Sequence, residues 1–344
     1  MAIIKVTIMV RWLSLIAMLL LLFLYGCSLW KPSYNNGHSL NKSPSQVDVR
    51  VVKHVMGETI VPTHPQRVVV LVQALLEPTF ALGVTPIAAP KDAVSDLQQL
   101  VGKLKGIEDV GSESPNLEKL LRLKPDLILG LSSHQDIYSL LSHIAPTVLA
   151  TFDPAAPWKG FLAFTADALG KTQSAQQLMT NYYARLAQLR ASIGQRLLTT
   201  LVSVAELRTD GVFLPEAASF EGEVFKDAGI QRPPNQLLSF ETSNKMRLGG
   251  RYAFLHISEE LLDEIDGDIL FLVTQDIMSH ENLDSKLQNL KASPLWSRLK
   301  VVQHSSVDEV GFYWRGMGPI SANLLIDDLF RYLIKSIKPT TTMP

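Results

Sequence analysis

The sequence predicts an α/β protein of two lobes with mostly parallel sheets, bridged by a helical segment. Three observations predict it. Short β-branched runs alternate with longer helical ones from residue 67 to about 150, and a second alternation of the same grammar runs from Leu201 to Ile334. Between them, from Trp158 to Ile193, lies a stretch without proline and with two glycines, Gly160 and Gly170.

In the first alternation, Val68-Val69-Val70-Leu71-Val72 is a continuous apolar run, as expected of a strand covered on both faces. Leu75 to Leu82 reads as a helix stopped at Gly83, and Thr85 to Ala89 as the next strand. Leu117 to Leu123 is amphipathic and ends at Lys124-Pro125, because proline cannot continue a helix. Asp126 to Gly130 follows as a strand, Ile137 to Ile144 as a helix and Thr147 to Ala150 as a strand, which is the βαβ order of a parallel sheet.

From Trp158 to Ile193 apolar residues recur as Leu178, Tyr182, Leu186 and Leu189. About 33 helical residues span roughly 50 Å, more than a connector inside one lobe requires. A break near Gly170, giving two consecutive helices, is the equal alternative. The second alternation begins with the strand Leu201 to Ala205 and the helix Glu223 to Ala228, stopped by Gly229. It continues with capping residues before an apolar stripe at Ser258 to Leu262 and the strand Asp268 to Val273. Leu299 to Val302 is expected as the last strand and Ser321 to Ile334 as the closing helix.

Cys27 is the only cysteine among 344 residues and follows Leu24-Tyr25-Gly26 at the end of an apolar run opened by Lys5 and Arg11. This order reads as a lipoprotein signal, with Cys27 as the lipidated first residue of the mature chain. Tyr25 is bulkier than such signals usually carry. An uncleaved membrane helix is the competing reading, although Leu13 to Leu24 is short against the roughly 20 residues of a span. Ser28 to Gln46 has little to bury and reads as a tether. The expected divisions are signal 1–26, tether 27–50, N-terminal lobe 51–156, bridging helix 157–195 and C-terminal lobe 196–344.

The formal charge of -1 becomes about -3 once Lys5 and Arg11 are removed, a balance that argues against nucleic acid as a partner. Phosphate-binding glycine loops and the Gly-x-Ser-x-Gly elbow are missing, so an α/β enzyme lacks its usual signatures. No two of the eight histidines stand three or four apart, which disfavours a direct metal-ion site. No cofactor is expected.

The segments His54 to Pro62, Pro65 to Leu71, Ala81 to Pro86, Pro115 to Leu121, Leu123 to Leu129 and Ile144 to Val148 resemble the substrate-binding proteins of ABC importers for ferric siderophores. Phe225 to Pro233, Ile257 to Leu261, Pro294 to Trp296 and Gly318 to Asn323 continue the resemblance, which covers about residues 50 to 335. Cobalamin-binding and haem-binding proteins are cousins and the alternative assignments. The resemblance implies two Rossmann-like lobes bridged by one long α-helix, with ligand in the cleft between them. It further implies a monomer on the outer face of the plasma membrane, lipid-anchored, that hands an iron chelate to an ABC permease and its ATPase. Iron then enters only as part of the chelate.

Ligands of open α/β sheets lie beyond the carboxyl ends of the strands. Loops there carry Gln73, Lys91, Ser132, Ser133 and His134 in the first lobe. In the second they carry Arg208, the cationic cluster Lys245, Arg247 and Arg251, and Tyr313-Trp314-Arg315. Ligand contacts are expected from Arg208, Arg315, Arg247, Arg251, Trp314, Tyr313, His134 and Gln73. Guanidinium groups suit carboxylate, catecholate or hydroxamate oxygens, and aromatic faces would cover the chelate. Lys245 and the two serines have bland readings, a solvated loop and helix capping. The resemblance places a permease-docking carboxylate at Glu118. At the matching second-lobe position the chain has Lys226, so Glu223 or Asp227 is expected to substitute.

Overall fold

The computed structural model describes residues 48–102, 104–111, 114–151, 157–237, 254–274 and 283–337. Cys27, Lys245, Arg247 and Arg251 lie outside them. An antiparallel hairpin, β1 (Val49–His54) and β2 (Gly57–Pro62), precedes the first sheet. That sheet contains β3 (Val68–Val70), β4 (Ala88–Ala89), β5 (Glu108–Asp109), β6 (Leu127–Leu131) and β7 (Thr147–Ala150). Its order is β5-β4-β3-β6-β7, and every pairing is parallel. The connections are α1 (Gln73–Ala81), α2 (Lys91–Val101), α3 (Leu117–Leu123) and α4 (Tyr138–Ile144). α3 starts where the Asn116 side chain accepts from the Lys119 N–H at 2.9 Å and stops at Lys124, which is left-handed with φ 47° just before Pro125.

Two helices bridge the sheets: α5 (Pro157–Leu169) and α6 (Thr172–Ile193). The long helix implied by the resemblance is α6, with 22 residues, and it is preceded by the break near Gly170 that the sequence left open. Gly170 makes the break. Its φ is +67°, and a Cβ there would lie 2.5 Å from the Thr63 carbonyl oxygen, so neither the conformation nor the space suits another residue.

The second sheet contains β8 (Val202–Arg208), β9 (Gly211–Pro215), β10 (Phe254–Ile257), β11 (Ile269–Val273) and β12 (Val307–Val310), in the order β10-β9-β8-β11-β12. β8, β11 and β12 are parallel, whereas β9 runs antiparallel to both β8 and β10. α7 (Phe220–Ala228) follows β9, capped by Ser219 and stopped at Gly229 with φ +75°. α8 (Asp284–Ala292) follows β11. The strand expected at Leu299 to Val302 is instead a short helix, α9 (Lys300–Gln303), because the Asp266 carboxylate accepts from Lys300 N at 2.8 Å and Val301 N at 3.0 Å. The last strand is β12. The closing helix, α10 (Pro319–Asp328), continues through a π turn to Ile337.

One buried apolar cluster runs from Val70 and Leu129 of the first sheet, through Trp158, Leu162, Tyr182, Leu186 and Leu189 of α5 and α6, to Val204 and Phe271 of the second. Smaller clusters cover the opposite faces, around Leu120 and Leu141 in the first lobe and Trp296 and Val301 in the second. Both sheets reverse their strand order at the first strand, at β3 and β8, and open α/β sheets bind ligands beyond the carboxyl ends at such a reversal. Among the described residues no helix is long and apolar enough to cross a membrane.

A matched pair of glycine substitutions tests the bridge. Gly170→Ala is expected to cost about 1–3 kcal/mol through its φ and the Thr63 contact. Gly160→Ala, inside α5 with open space at its Cβ, should be neutral or stabilise by up to about 1 kcal/mol. Denaturant midpoints of the two variants measure the difference.

Candidate functional site

The carboxyl end of β8 carries the centre of the site. Alternate residues of a strand share a face, so Glu206 and Arg208 follow Val202 and Val204 toward the side packed by α7. Glu206 is 1% exposed. Its Oε2 accepts from Arg208 Nε at 2.9 Å and Nη2 at 2.6 Å, and Arg315 Nε lies 3.1 Å from the same oxygen. Arg208 also stacks on Phe213 of β9, 4.3 Å from the ring centroid. Two sequence-expected arginines, 107 positions apart, are thereby brought onto one carboxylate oxygen.

Recesses open on either side of this junction. Between the lobes, Gln73, Asp96 and Glu77 of the first face Phe312, Arg315 and Ser321 of the second across a narrow recess of about 30 Å³. Gln73 Nε2 donates to Asp96 Oδ2 at 2.8 Å, which fixes the amide at the N-terminus of α1. A wider recess of about 450 Å³ lies against the β8–β9 turn, with Arg208, Asp210, His256, Glu259 and Lys286 in its wall. The wider recess falls within the roughly 300–1,000 Å³ of small-molecule sites.

The lobes are joined beneath the first recess by one buried carboxylate. Glu77 of α1 accepts from Ser321 N at 2.7 Å and from Ser321 Oγ at 2.9 Å, so a first-lobe acid caps a second-lobe helix. Burial pushes its carboxyl above the ordinary range, and these donors oppose that shift.

Two other expected contacts, Trp314 and His134, are buried, and Tyr313 is half-buried. Trp314 is fully buried, 4.6 Å from the Phe271 ring, and donates through Nε1 to Asp328 Oδ2 at 2.9 Å, so it belongs to the core rather than to the cleft wall. The Tyr313 hydroxyl donates to the same Asp328 oxygen at 2.6 Å, which ties the turn to α10. His134 is buried, its Nδ1 3.3 Å from the Leu131 carbonyl oxygen, and loss of solvent lowers its pKa. Gly130 admits that ring, since a Cβ there would stand 3.3 Å from Nδ1.

The two substitute docking acids are also corrected. Glu223 is buried and lies 3.1 Å from Lys159 Nζ, while Asp227 pairs with the same ammonium at 2.5 Å and accepts from the Tyr182 hydroxyl at 2.8 Å. Both therefore fasten α7 to the bridging helices. Glu118 is exposed at the first turn of α3, and the i,i+4 pair with Arg122 does not form among the described ion pairs. Among the described residues no group of three or more His, Cys, Asp or Glu is placed to hold a metal ion.

Sequence reasoning missed Glu206, Asp96, Phe312 and Glu77. Glu206 left a signal, an acid inside the otherwise apolar run of β8 next to Arg208. Glu77 left none, because its partner Ser321 belongs to the other lobe, and Asp96 none, because Gln73 meets it only across two helices.

The interlobe clasp yields a prediction. Glu77→Ala should cost about 1–3 kcal/mol by uncapping α10. The double variant with Ser321→Ala should cost less than the two single losses combined, measured as a denaturant double-mutant cycle.

Comparison with known proteins places this geometry. The chain is 31% identical to the probable siderophore-binding lipoprotein YfiY of Bacillus subtilis (strain 168), over 92% of this chain and 98% of that protein. It is 31% identical to the Fe(3+)-citrate-binding protein YfmC of the same organism, over 86% of this chain and 88% of that one. Among solved structures, Staphylococcus aureus SirA complexed with staphyloferrin B superposes with a TM-score of 0.67 at 25% identity, covering 83% of this chain and 98% of SirA. Residues 68–311 match the family model described as periplasmic binding protein, and the chain belongs to that family.

Proposed function

We propose that this protein captures a ferric siderophore outside the plasma membrane, to which Cys27 anchors it, and delivers the chelate to an ABC import permease. One observation carries the reading: Arg208 and Arg315 converge on a single buried oxygen of Glu206 at the carboxyl edge of the second sheet, beside a recess between the lobes. Glu206 holds both guanidinium groups in place at the edge of the sheet, so the site is organised before ligand arrives. The full-length likeness to siderophore-binding and Fe(3+)-citrate-binding relatives supports the same class of ligand. The protein acts by binding and release, without a cofactor of its own, and iron enters as part of the chelate. Exposed Glu118 remains the first-lobe contact for the permease.

Titration of the purified protein with ferric citrate, ferric hydroxamates, ferric catecholates, cobalamin and haem tests the reading. A ferric chelate should bind most tightly and be recovered unchanged. Tighter binding of cobalamin or haem, or turnover of any compound without a partner, contradicts it.

Arg208→Ala and Arg315→Ala should each weaken the best chelate roughly tenfold or more, as loss of a charge-assisted contact of about 1.5–3 kcal/mol requires. Lysine at either position should restore only part of the loss, because an ammonium cannot reproduce the forked contact. Glu118→Arg should keep chelate affinity and abolish uptake in cells. Unchanged uptake removes Glu118 from the docking surface.

A further inference from the structure

The turn that carries Arg315 is held from both ends. Upstream, Tyr313 and Trp314 donate to Asp328 Oδ2 at 2.6 and 2.9 Å, inside the second lobe. Downstream, the chain passes Gly316, Met317 and Gly318 and enters α10 at Pro319, and there the hold comes from the first lobe. Glu77 of α1 is buried and accepts from Ser321 N at 2.7 Å and from Ser321 Oγ at 2.9 Å.

The backbone between Arg315 and Ser321 has no slack. A Cβ on Gly318 would stand 2.8 Å from the Glu77 carboxyl carbon and 2.8 Å from its Oε1, so the main chain lies directly against the carboxylate. A Cβ on Gly316 would overlap the Ser321 Cβ and stand 3.0 Å from the Tyr313 carbonyl oxygen, to which Gly316 N donates at 3.1 Å. Ala322 N closes the first turn of α10 on the Gly318 carbonyl at 3.1 Å. The residue that follows Arg315 thus packs on the same serine that Glu77 grips. On α1, Gln73 stands one turn before Glu77 on the same face, and both border the interlobe recess together with Arg315 and Ser321.

We propose that Glu77 is a positioning residue of the ligand site: by fixing the turn from Gly316 to Gly318 against the first lobe, it sets the Arg315 guanidinium where it meets Glu206 and the chelate. The inference rests on the reading that the chelate meets Arg315. It adds that a first-lobe acid decides the affinity of a second-lobe arginine. Glu77 itself does not touch the chelate. A guanidinium already held in place loses little freedom on binding, and loosening the turn moves that ordering cost into the binding step. Two simpler roles have different consequences. As a helix cap alone, Glu77 contributes stability and no affinity. As a buried negative charge alone, it repels an anionic chelate, and its removal tightens binding.

Calorimetric titration with ferric citrate, and with the ferric hydroxamates and catecholates that bind the parent, separates these roles when run well below the unfolding midpoint of each variant. Glu77→Ala should weaken binding roughly three- to tenfold. Glu77→Gln, which keeps an acceptor for Ser321 N without the charge, should recover most of that loss. In the Arg315→Ala background Glu77→Ala should cost less than about twofold, whereas in the Arg208→Ala background it should cost about what it costs the parent. If Glu77→Ala does not fold, Ser321→Ala, which removes only the hydroxyl, stands in for it, with a smaller loss and the same dependence on Arg315.

Unchanged affinity in Glu77→Ala, or in Ser321→Ala where it stands in, overturns the proposal and leaves a helix cap. Tighter binding in both Glu77→Ala and Glu77→Gln overturns it in favour of charge repulsion. A loss of equal size with and without Arg315 overturns it as well, since the effect does not then pass through that side chain. These outcomes leave the arginine site standing as long as Arg315→Ala itself weakens the chelate. If Arg315→Ala leaves affinity unchanged, or if no anionic ferric chelate binds the parent, the arginine site falls and the positioning role falls with it.

Discussion

Everything at the cleft depends on the two sheets being held at one separation by α5 and α6. Trp158, Leu162, Tyr182, Leu186 and Leu189 are buried in a single apolar cluster that reaches both sheets, so the lobes share a core across the bridge. The Gly170 break lets α5 and α6 change direction where they pass the Thr63 carbonyl. Glu77 adds a second tie at the far side of the bridge, capping α10 from the other lobe. That constraint sets Gln73 and Asp96 opposite Phe312 and Arg315 before any ligand is present.

Burying charge is costly unless each charge has a partner, and the acids of this interior are assigned one by one. Glu77 takes the N-terminal N–H and hydroxyl of Ser321, Glu223 and Asp227 take Lys159, and Glu206 takes two arginines. Of these, only the Glu206 group borders a recess on both sides. The other assignments are structural, which is why Glu223 and Asp227 do not serve as surface carboxylates. Lys226, on the same helix, is the exposed residue there.

The sequence made much of the fold legible where an element's ends are marked by its own residues. α3 is bounded by a capping Asn116 and by Pro125, and its limits agree with the periodic run Leu117 to Leu123. Leu299 to Val302 carried an equally apolar pattern and became a helix, because the deciding group, Asp266, lies more than thirty residues away. The same difference separates the site residues. Arg208 is legible from its place after β8, whereas Arg315 was expected after a strand at Leu299 to Val302 and in fact follows β12, and only the fold brings the two together at Glu206. Trp314 and His134 occupy similar places after strands, but Asp328 and the glycine at position 130 draw their side chains inward, and neither influence is local in a pattern of hydrophobicity.

The central claim is that two arginines prepositioned on Glu206 meet the iron chelate. Anomalous diffraction at the iron edge from crystals grown with the tightest-binding ferric chelate tests it most directly. The account predicts a single iron beside the interlobe recess, with chelate oxygens within about 3 Å of guanidinium nitrogens of both Arg208 and Arg315. An iron held elsewhere on the protein, with no chelate oxygen near either arginine, would contradict it.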